Sequence, residues 1–202
     1  MVVVDVQQEF FSQLPVVGET FPEFRGNVEK LLEWARRSRS GARPLVVHVR
    51  ASYRPEHSPW LPVLRRMRGH AEESPFGETP ETPRPEDFCA EIAGEEPVVL
   101  KHTYNAFLEE EMVGLLKARG VRKVLICGLV TGCCVVSTAQ GAIFCGFEPF
   151  VVEDCCADRS RSRHLDALRL GQSHSFWLTR LPDILSCRNP SDLQTFLFEA
   201  YT

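Results

Sequence analysis

The sequence lacks an excess of charge of either sign. Its 202 residues carry 23 lysines and arginines against 27 aspartates and glutamates, a formal charge of −4. No whole-chain electrostatic argument for nucleic acid follows. It also lacks the glycine or proline excess of a fibrous or disordered chain, with 13 and 14 of each. The opening Met1-Val2-Val3-Val4-Asp5 has no basic stretch, long apolar run and small-residue cleavage site in succession, so no signal peptide is expected. No two of the eight cysteines stand in C-x-x-C spacing, which removes the usual zinc-knuckle and thioredoxin-type signals. A chain this long buries a core without disulfide staples. The expectation is a reduced, cytoplasmic protein.

What is present begins with a run free of charge, Val124 to Phe147, long enough to suggest a membrane span. Its four glycines, with Thr131, Ser137, Thr138 and Gln140, read better as a buried strand, a turn and a small-residue helix. A soluble protein with no membrane partner is expected.

Short apolar runs alternate with helical patterns. Val2-Val3-Val4, Leu45-Val46-Val47-His48-Val49, Pro97-Val98-Val99-Leu100, Val124-Leu125-Ile126-Cys127, Phe150-Val151-Val152 and Phe176-Trp177-Leu178 read as strands. Helical spacing recurs in Val28, Leu31, Leu32 and Ala35, in Leu108, Met112, Leu115 and Leu116, from about 133 to 144, and from 166 to 170. Apolar strands bracketed by helices predict a three-layer α/β/α domain over 1–202, with a mostly parallel, Rossmann-like sheet covered on both faces. From about 51 to 97 the chain is rich in proline and includes Glu78-Thr79-Pro80-Glu81-Thr82-Pro83-Arg84-Pro85, which predicts an irregular insertion: a solvated loop, a lid or a subunit contact.

In an open parallel sheet, ligands bind beyond the carboxyl ends of the strands. The first strand ends at Asp5, the third at Lys101, and the fourth runs through Gly128-Leu129-Val130-Thr131-Gly132 into Cys133-Cys134. An acid, an amine and a thiol therefore have the means to converge. An ammonium group and a helix N-terminus favour thiolate. A carboxylate can take the thiol proton and return it to a leaving amine, and turn amides can hold an oxyanion. The trio suits acyl transfer to cysteine followed by thioester hydrolysis. Taken singly, each residue reads more often as a turn former or helix cap, a solvated cation or a buried small side chain.

Three ordered segments resemble a known family. Asp5-Val6-Gln7-Gln8-Glu9-Phe10 is similar to the D-x-Q-x-x-F opening of the isochorismatase-like cysteine hydrolases. Val99-Leu100-Lys101-His102-Thr103-Tyr104-Asn105-Ala106-Phe107 resembles their lysine motif, and Cys127-Gly128-Leu129-Val130-Thr131-Gly132-Cys133-Cys134-Val135 their G-[hydrophobic]-x-T-x-x-C-V motif. Val152-Glu153-Asp154-Cys155-Cys156-Ala157 and His164 fit the downstream pattern. The resemblance implies that Asp5 is the base, Lys101 the thiolate-stabilising cation and Cys134, not Cys133, the nucleophile. It implies a cis peptide between Val130 and Thr131, with amides of Val130, Thr131 and Cys134 turned towards the oxyanion.

The nicotinamidase branch of that family holds a metal through an Asp-x-His pair and a further histidine. Here the stretch from Val47 to His57 offers His48 and His57 but no D-x-H, and no metal or other cofactor is expected. Gln7, Phe10, Arg50, Tyr53 and Tyr104 are candidate substrate-binding residues. Arg50 suits a carboxylate or carbonyl, or alternatively an acidic residue across a subunit contact. The implied activity is metal-independent hydrolysis of a C–N bond in a small amide or N-carbamoyl compound. The alternative is an inactive or redox-sensing member that binds a metabolite or a protein partner. Members of the family commonly assemble as dimers or tetramers, and the apolar Phe196-Leu197-Phe198 is a candidate contact.

Overall fold

The computed structural model describes residues 1–7, 10, 15–37, 43–54, 56–67, 69 and 90–201. The strands are β1 (Val2–Val4), β2 (Val47–Ala51), β3 (Val98–Lys101), β4 (Lys123–Leu129), β5 (Glu148–Ala157) and β6 (Trp177–Thr179). They form one sheet in the order β3-β2-β1-β4-β5-β6, with all pairs parallel. Every residue of β1 and β2 is buried, as strands covered on both faces must be. The sheet matches the expected α/β architecture.

The helices are α1 (Pro15–Thr20), α2 (Phe24–Arg37), α3 (Leu61–Met67), α4 (Glu110–Ala118), α5 (Val136–Phe144), α6 (Arg161–Gln172), α7 (Leu181–Ser186) and α8 (Pro190–Tyr201). α2 shows the logic best. Phe24, Val28, Leu31, Leu32 and Ala35 form its buried stripe, while Arg36 and Arg37 sit in the last turn, where the helix dipole favours cations. The charge-free run becomes β4, a π-type turn (Thr131–Val135) and α5. Among the described residues no helix is long and apolar enough to cross a membrane. α8 turns Leu193 and Leu197 into the core and leaves Phe198 62% exposed.

The boundaries of the 51–97 insertion need correction. Ala51 closes β2, Ser52 and Tyr53 are buried, and 61–67 is helical, its proline lying in the first turn, where no amide donor is needed. Proline density misled here because those prolines punctuate a wall of the site. The segment 70–89, including the densest proline run, lies outside the described residues.

On the other side of β2, the alternation that places His48 and Arg50 together leads into an ionic cluster. Glu96 takes Arg36 at 2.8 and 2.9 Å, His48 Nε2 at 2.8 Å and the Ala93 amide at 3.1 Å. Burial alone would raise the Glu96 pKa, but these donors outweigh it and hold the carboxyl at about 2. Burial lowers the His48 pKa, so the ring is neutral and donates through Nε2. A depressed carboxyl pKa contributes stability above its unfolded value, and that contribution is lost as pH falls towards the folded value. Glu96→Gln is therefore expected to flatten the loss of stability between about pH 4.5 and pH 2. Urea midpoints at several pH values check this; an equally steep decline in both proteins would contradict it.

Candidate active site

The strand order reverses beside β1, between β2 and β4, the place where open parallel sheets bind ligands beyond the strand ends. Asp5 directly follows β1. Its φ of 52° puts it in the left-handed region, which costs a non-glycine residue on the order of 1 kcal/mol or more. The turn is pinned by Asp5 N–H donating to Val49 O at 3.0 Å and Gln7 N–H to Asp5 O at 2.9 Å. Gln7 Oε1 then accepts from Ala51 N–H at 2.8 Å, tying the ends of β1 and β2 together. Gln7 is thus a brace for Asp5. Phe10 is buried one turn further on, its amide bonded to Gln7 O at 3.2 Å.

Lys101 ends β3 opposite Ala51, and its side chain is fully buried. Nζ lies 2.8 Å from Asp5 Oδ2 and donates to Tyr53 OH at 2.6 Å, Thr103 O at 3.1 Å and Cys134 Sγ at 3.4 Å. The Asp5 carboxylate is also hydrogen-bonded to the Cys134 thiol, which raises the thiol pKa. Cys134 sits in the π-type turn after β4. The three residues expected to converge do so.

The electrostatics decide the resting state. Burial pushes the Cys134 thiol well above its ordinary pKa; Lys101 pulls it down, Asp5 pushes it up and the Tyr53 hydroxyl pulls it down, with a net rise. Burial would lower Lys101, but Asp5 and Cys134 more than compensate, so the ammonium persists. The resting site is a neutral thiol beside a Lys101–Asp5 ion pair. A proton acceptor is required before the sulfur can attack.

The nucleophile turn is held from behind. Gly132 N–H donates to Asp158 Oδ2 at 2.7 Å, Cys133 N–H to Val130 O at 3.0 Å, and Thr131 Oγ1 lies 2.8 Å from His164 Nδ1. Asp158 is fully buried and also accepts from the Arg159 amide at 2.7 Å. The cis peptide is Leu129–Val130, one bond earlier than expected. The chain leaves the sheet at Leu129, the last residue of β4, and Val130 is extended before the turn begins at Thr131. A motif of neighbouring hydrophobic residues does not mark which of two bonds carries that departure.

Two substrate-binding candidates take other positions. Arg50 is buried and donates to the Val6 and Ala90 carbonyls, which makes it a clasp between β2 and the segments beside it. Tyr53 reaches the Cys134 thiol, with OH 3.4 Å from Cys134 Sγ. Tyr104 packs with Tyr53 and with Trp60, at centroid distances of 6.1 and 4.8 Å. Trp60 and Asp158 were not anticipated. Trp60 sits in the proline-dense stretch, and Asp158 repeats the pattern of an acid at a strand end.

The residues after β2 do not fit a metal. The stretch from Val47 to His57 contains no D-x-H, His48 is bound to Glu96, and His57 lies against the His102 ring at 5.1 Å. Among the described residues no group of three histidine, cysteine or acidic side chains is placed to hold an ion.

An isochorismatase domain model matches residues 1–181. The chain belongs to the isochorismatase family. Within it, the chain is 33% identical over 126 residues to the maleamate amidohydrolase of Pseudomonas putida, covering 59% of this chain and 55% of that protein. The chain spans between a third and just over half of the length of the first curated relatives it matches. Among solved isochorismatase-like structures, a cysteine hydrolase from Pseudomonas syringae pv. phaseolicola superposes with a TM-score of 0.72 at 20% identity, covering 95% of this chain and 92% of that one. The N-carbamoylsarcosine amidase of Thermoplasma acidophilum gives 0.60 at 27% identity, covering 89% and 94%. This isochorismatase-family chain thus carries an acid, a lysine and a cysteine at the carboxyl ends of β1, β3 and β4.

Proposed function

We propose that this protein hydrolyses a carbon–nitrogen bond of a small amide or N-carbamoyl compound through a thioester on Cys134, without a metal. The observation that carries the reading is the contact of Lys101 Nζ with both Cys134 Sγ and Asp5, all three residues being buried. The names of the relatives, an amidohydrolase and an amidase, support amide chemistry.

The sequence of events follows from the resting state. Asp5 takes the Cys134 proton as Sγ attacks the substrate carbonyl. The Lys101 ammonium, already charged, offsets the negative charge on sulfur while the proton moves. The carbonyl oxygen becomes an oxyanion, for which we assign the turn amides of Val130, Thr131 and Cys134, since those of Gly132, Cys133 and Val135 bond to Asp158 and Val130. Collapse breaks the C–N bond, and the proton held by Asp5 passes to the departing amine. Asp5 next draws a proton from water, which adds to the thioester; the acid leaves and the proton returns to sulfur.

A panel of small amides and N-carbamoyl compounds, with ammonia as the readout, tests the reading. At least one is expected to release ammonia, and Asp5→Asn is expected to lower that rate by about 100-fold or more, since a positioned base contributes that much. Tight binding of a panel member with no release from any of them would favour a binding protein instead.

A further inference from the structure

Tyr53 is the group at the site whose chemistry the three-residue scheme leaves unused. Its ring is buried between Trp60, at a centroid distance of 5.2 Å and an interplanar angle of 85°, and Tyr104. That cage fixes the hydroxyl, because the segment carrying it is tied to β3: Ser58 Oγ and Trp60 Nε1 both donate to His102 O, at 2.9 and 2.7 Å. The hydroxyl accepts from Lys101 Nζ at 2.6 Å, so its single proton must point elsewhere. Two acceptors lie at equal distance, Thr103 O and Cys134 Sγ, each at 3.4 Å.

We propose that Tyr53 is a catalytic residue that stabilises the Cys134 thiolate as a second hydrogen-bond donor, its O–H turning from Thr103 O to Sγ as Asp5 removes the thiol proton. The inference rests on Cys134 being the reacting thiol, as in the function proposed above. No proton leaves Tyr53. Its O–H rotates about the C–O bond while the thiol proton passes to Asp5, and the Lys101 bond to the hydroxyl oxygen is retained throughout. Lys101 polarises that hydroxyl, so the ammonium acts on sulfur twice, directly at 3.4 Å and through the tyrosine. Burial and the nearby negative charges keep the phenol protonated, with a pKa well above its ordinary value, as a donor requires. The need is physical. A thiolate formed in a pocket that burial disfavours, beside a carboxylate, gains from each donor that water would otherwise supply.

The test is the pH profile of Cys134 alkylation by iodoacetamide, read by peptide mass spectrometry in the wild-type protein and in Tyr53→Phe. The phenyl ring keeps the cage and removes only the hydroxyl. A hydrogen bond to a charged group predicts labelling of Tyr53→Phe at neutral pH slowed by about 10- to 100-fold, with the profile moved to higher pH. On any amide that is turned over, kcat falls and KM changes little. Superimposable alkylation profiles would overturn the proposal. If Tyr53→Phe does not fold, 3-fluorotyrosine placed at position 53 gives a more acidic donor in the same cage. Its profile is expected at lower pH, and an unchanged or higher one counts against the role. Because alkylation reports on sulfur without amide turnover, failure here is distinguishable from failure of the amidohydrolase reading.

Discussion

Replacing Cys134 with alanine is expected to remove amide turnover, by at least about 10⁴-fold, while leaving the protein folded. The loss is large because Asp5, Lys101 and Tyr53 all act on the sulfur, so deleting it idles every one of them. The fold should survive for a different reason. Cys134 makes no disulfide, and its thiol contributes a small buried volume against a core extending over six strands. Truncation to alanine removes one heavy atom. Cys133→Ala is the matched control: that thiol is half-buried and neighbours the same turn, and turnover should be near that of the parent. Ammonia release and the circular dichroism of the three proteins decide the matter. Equal losses in both variants would show that the turn, rather than the one thiol, is what the substitutions disturb.

Gly128→Ala is expected to have the largest effect on folding. Gly128 pairs with Val4 where β1 and β4 meet, and its φ of 128° is a conformation that L side chains rarely adopt. A Cβ there would stand 1.9 Å from Val4 O and 2.8 Å from Val4 C and N, all backbone atoms of the central strand. Nothing flexible can yield, so the strands must part just below Asp5 and the nucleophile turn. A cost on the order of 4–5 kcal/mol is expected, which takes most of the stability of a typical domain. Gly146→Ala is the comparison, because Gly146 also has positive φ, 85°, but no atom within 4 Å of the added carbon. Its cost should be about 1 kcal/mol. Urea midpoints of the two variants report the difference; similar values would mean that close approach, as distinct from φ, contributes little.

The strands and the convergence of Asp5, Lys101 and Cys134 are legible because the signals for them are local. Apolar runs ending in Asp5, Lys101 and the Gly128–Cys134 turn needed only the rule that ligands gather at strand ends. What was hidden depends on contacts between distant segments. Tyr53 lies 81 positions from Cys134 and 48 from Lys101, and nothing in its flanking arginine and prolines indicates that its hydroxyl reaches both. Arg50 reads from the sequence as a partner for a substrate carboxylate or carbonyl, or for an acid across a subunit contact, because a sequence does not show that the Val6 and Ala90 carbonyls stand ready to receive it. The left-handed turn at Asp5 is one that no neighbouring glycine announces. The cis bond was placed one residue late because the motif marks the turn while the end of β4 decides which bond departs from it.

On the proposed mechanism, Cys134 becomes acylated by an amide while the amine departs. Rapid acid quenching of the enzyme with a turned-over amide, followed by peptide mass spectrometry, tests it most directly. A mass increment equal to the acyl group is expected on Cys134, formed in step with ammonia release and absent from Cys134→Ala. An increment on another residue, or ammonia released undiminished by Cys134→Ala, would contradict it.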